Sequence, residues 1–202
     1  MRISKKLGEA VRVALVFILI SSWVFSAWPQ VFRMPPKVEK AEAGGWYDAA
    51  WQYRQKITID TSKVAGAATS FPVLVNRTDT ALKSTDWGGH MGTATGAEIL
   101  FTAGDGTTKL DHETEKFAST TGELVAWVRM PFLSSTSTNE LYMYYGNASQ
   151  ADQQNKTAVW DEFYKGVWHL TTTSGPTTIT YDSTVNLNTG TKLTATEPVD
   201  AT

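Results

Sequence analysis

Residues Gly122 to Asn147 read GELVAWVRMPFLSSTSTNELYMYYGN. From Leu124 to Met130, an extended chain places Leu124, Ala126, Val128 and Met130 on one face and Val125 and Trp127 on the other, so little of either face suits water. This pattern predicts a strand covered on both sides. Pro131 and the run Ser134 to Thr138 interrupt it, and Leu141 to Tyr145 resumes the alternation, with Leu141 and Met143 opposing Tyr142 and Tyr144. Two such strands joined by a polar loop predict a hairpin. No long amphipathic helix elsewhere in the chain could cover the second face, so the covering layer is expected to be another sheet. The fold class read from this stretch is all-β: an antiparallel β-sandwich, jelly-roll-like, with one short helix, preceded by an N-terminal hydrophobic signal or anchor helix.

Upstream, Tyr53, Gln55, Ile57 and Ile59 alternate with Arg54, Lys56, Thr58 and Asp60, the pattern of a half-buried strand with a charged outer face. The segment Phe71 to Val75 predicts a second strand, and Pro72 near its start either places it at a sheet edge or limits its pairing there. Lys83 to Gly96, rich in Gly, Ser and Thr and carrying Trp87 and His90, reads as a long surface loop. Glu98 to Thr102 reads as a short strand, and Gly104-Asp105-Gly106 as a tight turn into a return strand from Thr107 to Phe117. Downstream, Ser149 and Asp152 have capping-box spacing ahead of a helix that runs to about Val159. Gly166 to Leu170 reads as a strand, and the Thr-rich remainder holds too few apolar residues for a core of its own.

The chain of 202 residues is 42% hydrophobic and 19% charged, which is globular rather than disordered in composition. A net charge of −2, with no basic cluster beyond the extreme N-terminus, excludes a nucleic-acid footprint. The absence of cysteine excludes disulfides, thiolate metal sites and a cysteine nucleophile. Arg2, Lys5, Lys6 and Arg12 precede the uncharged run Val13 to Trp28, and Ala41-Glu42-Ala43 offers a cleavage pattern before Gly44. The chain is therefore expected to be exported to the cell envelope or beyond. The leader is either removed after Ala43 or retained, so that residues 13–28 hold the chain in the membrane. Pro29, Pro35 and Pro36, with Lys37 to Lys40, make the following segment an extended spacer.

Several ordered segments resemble one bacterial family. They are Trp51-Gln-Tyr-Arg54 with Lys56 to Ile59, Phe71 to Val75, Ala97 to Phe101 ahead of Asp105-Gly106, Leu124 to Val128, Leu141 to Asn147, and Val159-Trp-Asp161. In that order they are similar to the domain-of-unknown-function family 2341, over about Trp46 to Leu170. The resemblance implies an exported or cell-surface module with no established catalytic residues, commonly followed by a laminin-G-like or concanavalin-A-like domain. Gly166 to Leu170, Asp182 to Thr184 and Asn188 to Gly190 look like the opening of such a domain. The expected organisation is a leader and spacer over residues 1–43, a family-like β-sandwich over 44–165, and the truncated start of a laminin-G-like domain over 166–202. Glu98 stands where the family usually carries a second acidic residue near Ala97.

Three side chains carry the sharpest chemical signal. Asp111, Glu113 and Glu115 are two residues apart on one strand and project from one face at about 7 Å spacing, as in some glycosidases. The simpler reading is a solvated strand face paired with Arg54, Lys56 or Lys109. Asp105, Asp111 and Glu113 offer oxygen donors for calcium near a glycine turn, but their spacing fits no calcium-loop template. His90, His112 and His169 are too scattered for a zinc set and read as incidental. Trp87, an indole in a long loop, is the candidate ligand platform, whereas Trp46, Trp51, Trp160 and Trp168 read as closing the sandwich ends. No catalytic residue, metal or cofactor is expected. The functional expectation is a non-catalytic, structural or adhesive surface module whose partner is a polysaccharide or another cell-surface ligand. The alternatives are a glycoside hydrolase acting through Asp111, Glu113 and Glu115, and a passive spacer for a downstream binding domain.

Overall fold

The computed structural model describes residues 38–40, 45–170 and 179–191, all within the compact unit Pro36–Thr202. The expected leader, its apolar run 13–28 and the bond after Ala43 lie outside the described residues. Among the described residues no helix is long and apolar enough to cross a membrane.

These residues are mostly β, with antiparallel sheets and one short α-helix. The first sheet runs in the order β1 (Val38–Lys40), β2 (Tyr53–Ile59), β8 (Asn139–Tyr145), β4 (Leu100–Ala103), β5 (Lys109–Leu110). The second runs β3 (Ala68–Thr78), β7 (Glu123–Leu133), β6 (His112–Ala118), and a small ribbon joins β9 (Ile179–Thr180) to β10 (Gly190–Thr191). The helix α1 spans Lys156–Val159.

The strands β7 and β8 do not form the expected hairpin. β7 pairs with β3 and β6, β8 pairs with β2 and β4, and the loop between them carries the chain from one sheet to the other. The alternating pattern is the same whether two strands share a ladder or face each other across a core, which is why it misread the pairing. One core cluster takes Phe101, Leu141, Met143 and Tyr145 from the first sheet and Val75, Leu124, Ala126, Val128 and Met130 from the second. Burying each of these larger apolar side chains contributes about 1.5–3 kcal/mol. Gln55 also points into this core, where its amide donates to the Tyr145 hydroxyl and to Asp79. The Pro72 segment does lie at a sheet edge, as expected, and Gly106 closes the β4–β5 turn at a φ of +76°.

The outer face of each sheet is covered by a different part of the chain. Trp46, Tyr47 and Trp51 gather over Leu100, Tyr142 and Tyr144 of the first sheet, fastened by the Trp51 indole donating to the Glu98 carbonyl at 2.7 Å. The Arg54 guanidinium sits 4.5 Å over the Trp46 ring and 4.4 Å over Tyr142, a cation–π arrangement. On the second sheet, Arg129 Nη1 donates to the Ala158 carbonyl at 2.9 Å, and the Trp160 ring lies 5.3 Å from that of Trp127. Of the tryptophans expected at the ends of the sheets, Trp46, Trp51 and Trp160 thus lie on their outer faces.

The helix is far shorter than the capping box suggested. Asp152 turns to Gln154 rather than capping a helix, the Gln154 side chain accepts from Thr114 N, and Asn155 donates to Asp111. The polar groups of residues 152–155 therefore go to local turns and to β6 in place of a first helical turn. Nor does Gly166 to Leu170 form a strand: within it there is a single antiparallel bridge, Trp168 to Asp182.

Candidate functional site

β5 and β6 are separated only by Asp111, where the chain passes from the first sheet to the second. The register then pairs His112 with Val128 and Glu113 with Trp127. The even positions of this part of β6 therefore face the core and Glu113 faces outward. A register shift between Thr114 and Lys116 leaves Glu115 unpaired in the ladder, a bulge that turns its side chain toward the same outer surface.

Glu113 is not solvated. It is only 2% exposed, because Trp160, His169 and Ser183 lie over it. These three donors from separate parts of the chain converge on its carboxylate. The Trp160 indole donates to Oε2 at 2.9 Å, His169 Nε2 contacts Oε2 at 3.1 Å, and the Ser183 hydroxyl donates to Oε1 at 2.5 Å. Glu115 Oε2 meets the other ring nitrogen, His169 Nδ1, at 3.1 Å and accepts from the Trp127 indole at 2.8 Å. A histidine with a carboxylate on each nitrogen donates from both, which is the imidazolium form.

Electrostatics agrees with this geometry. Burial pushes the Glu113 carboxyl up, but the hydrogen bonds from His169, Ser183 and Trp160 outweigh it and hold its pKa below the ordinary value. The hydrogen bond to Glu113 raises His169 above its ordinary value against the opposing effect of burial. Beside them, Asp182 is buried. Its own burial opposes ionisation, yet the N–H groups of Val167, Thr184 and Asn188 bring its pKa down to about 2. This carboxylate folds the Asp182–Asn188 turn that delivers Ser183.

The cluster contains serine, histidine and carboxylate, but not in the order that activates a nucleophile. In a catalytic triad the imidazole stands between the hydroxyl and the acid. Here Glu113 stands between Ser183 and His169, and both ring nitrogens of His169 are held by carboxylates. The arrangement is a clasp: one carboxylate gathers three separate parts of the chain onto a strand.

The acidic strand was expected to be a solvated face paired with Arg54, Lys56 or Lys109, and the structure corrects this. Arg54 pairs with Glu39, Lys56 with Glu140, and Lys109 donates to Gln153. Asp111 accepts from Asn155, and Asp105 is occupied by its own turn through Thr107 and Thr108. His169, read as incidental, bridges Glu113 and Glu115 in the clasp. His90 stacks on Tyr53 with ring centroids 4.3 Å apart, and His112 is buried edge-on to Phe101, where burial drives its pKa down to about 4. Trp87 closes a 3-10 turn, Thr85–Trp87, and is 60% exposed, outside the clasp. Glu98 is fully buried, with Oε1 accepting from Gly92 and Gly146 N–H groups, so the acidic residue at that position ties two loops together.

Sequence reasoning missed the clasp because its members are spread from Glu113 to Ser183. The local signals within that span were the acidic triplet and Asp182 to Thr184, which was read as part of the opening of a further domain. No curated protein and no solved structure matches the chain. The model of a family described as a domain of unknown function, DUF2341, matches residues 95–174, so the chain is similar to that family over a stretch that holds β4 to β8, α1 and His169.

Proposed function

We propose that this chain is an exported, non-catalytic module of the cell surface, structural or adhesive in role. In this reading its two sheets form a jelly-roll-like β-sandwich, and residues 166–202 open a laminin-G-like domain. The observation that carries the reading is the clasp at Glu113, which mounts the C-terminal segment on β6 through three separate anchor points. Exposed Trp168, Leu170, Ile179, Tyr181, Val185 and Leu187 concentrate on that same segment, as suits a layer awaiting another. The charged and apolar order of the leader supports export. Engagement of Asp111, Glu113 and Glu115 within the chain favours this reading over a glycoside hydrolase. The exposed indole of Trp87 remains the proposed platform for a polysaccharide, and its position on a surface turn supports that role.

Hydrogen exchange on the whole chain tests the mount. In the wild type the amides of Val167 and Ser183, which donate to Asp182 Oδ1 and the Val167 carbonyl, should be protected. In Glu113→Ala they should exchange about a hundredfold faster or more, because removing one partner of a buried charged pair costs about 3–5 kcal/mol. Equal exchange in both proteins would remove the mount from consideration.

A further inference from the structure

A cleft of about 640 Å³ lies where β3 and β7 meet the turn after α1. Thr69 and Ser70 line it from β3, Arg129 from β7, and Asp161, Glu162 and Phe163 from the turn, with Trp160 behind them. Its size is in the range of small-molecule sites. We infer that this cleft binds the carboxylate-bearing sugar units of an acidic polysaccharide, a uronate polymer.

Arg129 carries the first part of the argument. It is half-buried, uses Nη1 to hold the Ala158 carbonyl, and makes no ion pair among the described residues. Its Nε and Nη2 are not among the sealed polar atoms. That edge of the guanidinium is therefore held in place by the Nη1 bond and open to an incoming group, and its planar fork matches a carboxylate. Phe163 carries the second part. It is 80% exposed, and its backbone N–H donates to Asp161 Oδ1 at 3.0 Å, which fixes the turn that presents the ring. A flat apolar face standing in water beside a cation suits the C–H face of a pyranose.

Asp161 and Glu162 decide between ligand classes. Two carboxylates repel a compact dianion such as phosphate more strongly than a singly charged carboxylate, and they accept hydrogen bonds from sugar hydroxyls. A neutral sugar would leave the Arg129 charge without a partner. A uronate supplies one carboxylate for Arg129, hydroxyls for the two acids, and a ring face for Phe163. The cleft wall also carries backbone strain: Ser70 has a φ of +53°, in the left-handed region that a non-glycine residue seldom occupies. The β3–β7 register skips both Ser70 and Pro131, and Pro131 has no N–H to offer the ladder. Such strain is found where a site over-determines its backbone.

This site shares Trp160 with the clasp but uses none of the clasp's hydrogen bonds, and it depends on the surface-module reading only in placing the chain among envelope polymers. The test is retardation of the full chain in native gels containing polygalacturonate or its methyl ester. The wild type should be retarded by the acid form and about tenfold less by the ester. Phe163→Ala, at an exposed position that leaves the core intact, should lose about tenfold in affinity for the acid form. Arg129→Gln, which can still donate to Ala158, should bind acid and ester alike. No retardation by polygalacturonate, equal retardation by acid and ester, or an unchanged Phe163→Ala would each overturn the proposal. If the cleft fails while Val167 and Ser183 stay protected in exchange, the mount stands without it.

Discussion

Glu113 shows how the setting of one side chain decides its chemistry. On an open strand it would be one of a row of solvated acids, whereas under Trp160, His169 and Ser183 it is an ionised anchor. The sign of its pH dependence follows from its neighbours. The Glu113 pKa is depressed below its ordinary value of 4.5, so its contribution is present above that value and lost as pH falls through the folded pKa. The His169 pKa is raised above its ordinary value of 6.5, so its contribution is complete below that value and lost as pH rises through the folded pKa. The clasp is therefore tightest between about pH 4.5 and 6.5. Glu115 and Lys156 also bear on the ring, the first favouring its charge and the second opposing it. Titration of the His169 ring protons by NMR should give a midpoint above 6.5 that moves down in Glu113→Gln; a midpoint unaffected by that substitution would refute the coupling.

At the level of elements, the turn from β6 into β7 is the tightest point of the second sheet. Gly122 there has a φ of +75°, its carbonyl accepts from Asp79 N–H, and a Cβ at this position would come within 1.9 Å of the Asp79 carbonyl oxygen. Gly122→Ala should destabilise the protein by about 2–3 kcal/mol, through both the backbone conformation and the clash, and chemical denaturation would measure it. Legibility from sequence also differed from element to element. The inward sets of β2, β7 and β8 were readable because a period of two leaves little choice of face. Which strands shared a ladder was not, since β7 and β8 carry the same pattern whether paired or opposed. The helix before Val159 was over-read because the side chains of residues 152–155 are taken up by tertiary and turn partners that no local spacing reveals. The candidate site suffered most: the acidic triplet was visible as a motif, but the partners of Glu113 lie 47 to 70 residues away.

For the molecule as a whole, the shared core predicts cooperativity. Leu141 is fully buried in a cluster drawn from both sheets, so Leu141→Ala should cost about 2–5 kcal/mol and weaken both sheets in one transition. Coincident midpoints by far-ultraviolet and near-ultraviolet circular dichroism would bear this out, whereas two separated transitions would mean that the sheets fold apart. The covers behave differently from the core, because each outer face is closed by a few side-chain bonds and not by a ladder.

This division has a mechanical consequence. The stretch before β2 lies against one sheet and the stretch after α1 against the other, so traction along the chain enters on one side of the core and leaves on the opposite side. In that line of force, inside the short β1–β2 pairing and the β9–β10 ribbon, the Trp51 indole and the Glu113 carboxylate are joints made by side chains. They can give way and close again while the ladders behind them hold, so the module yields a short length of slack under load before its core is strained.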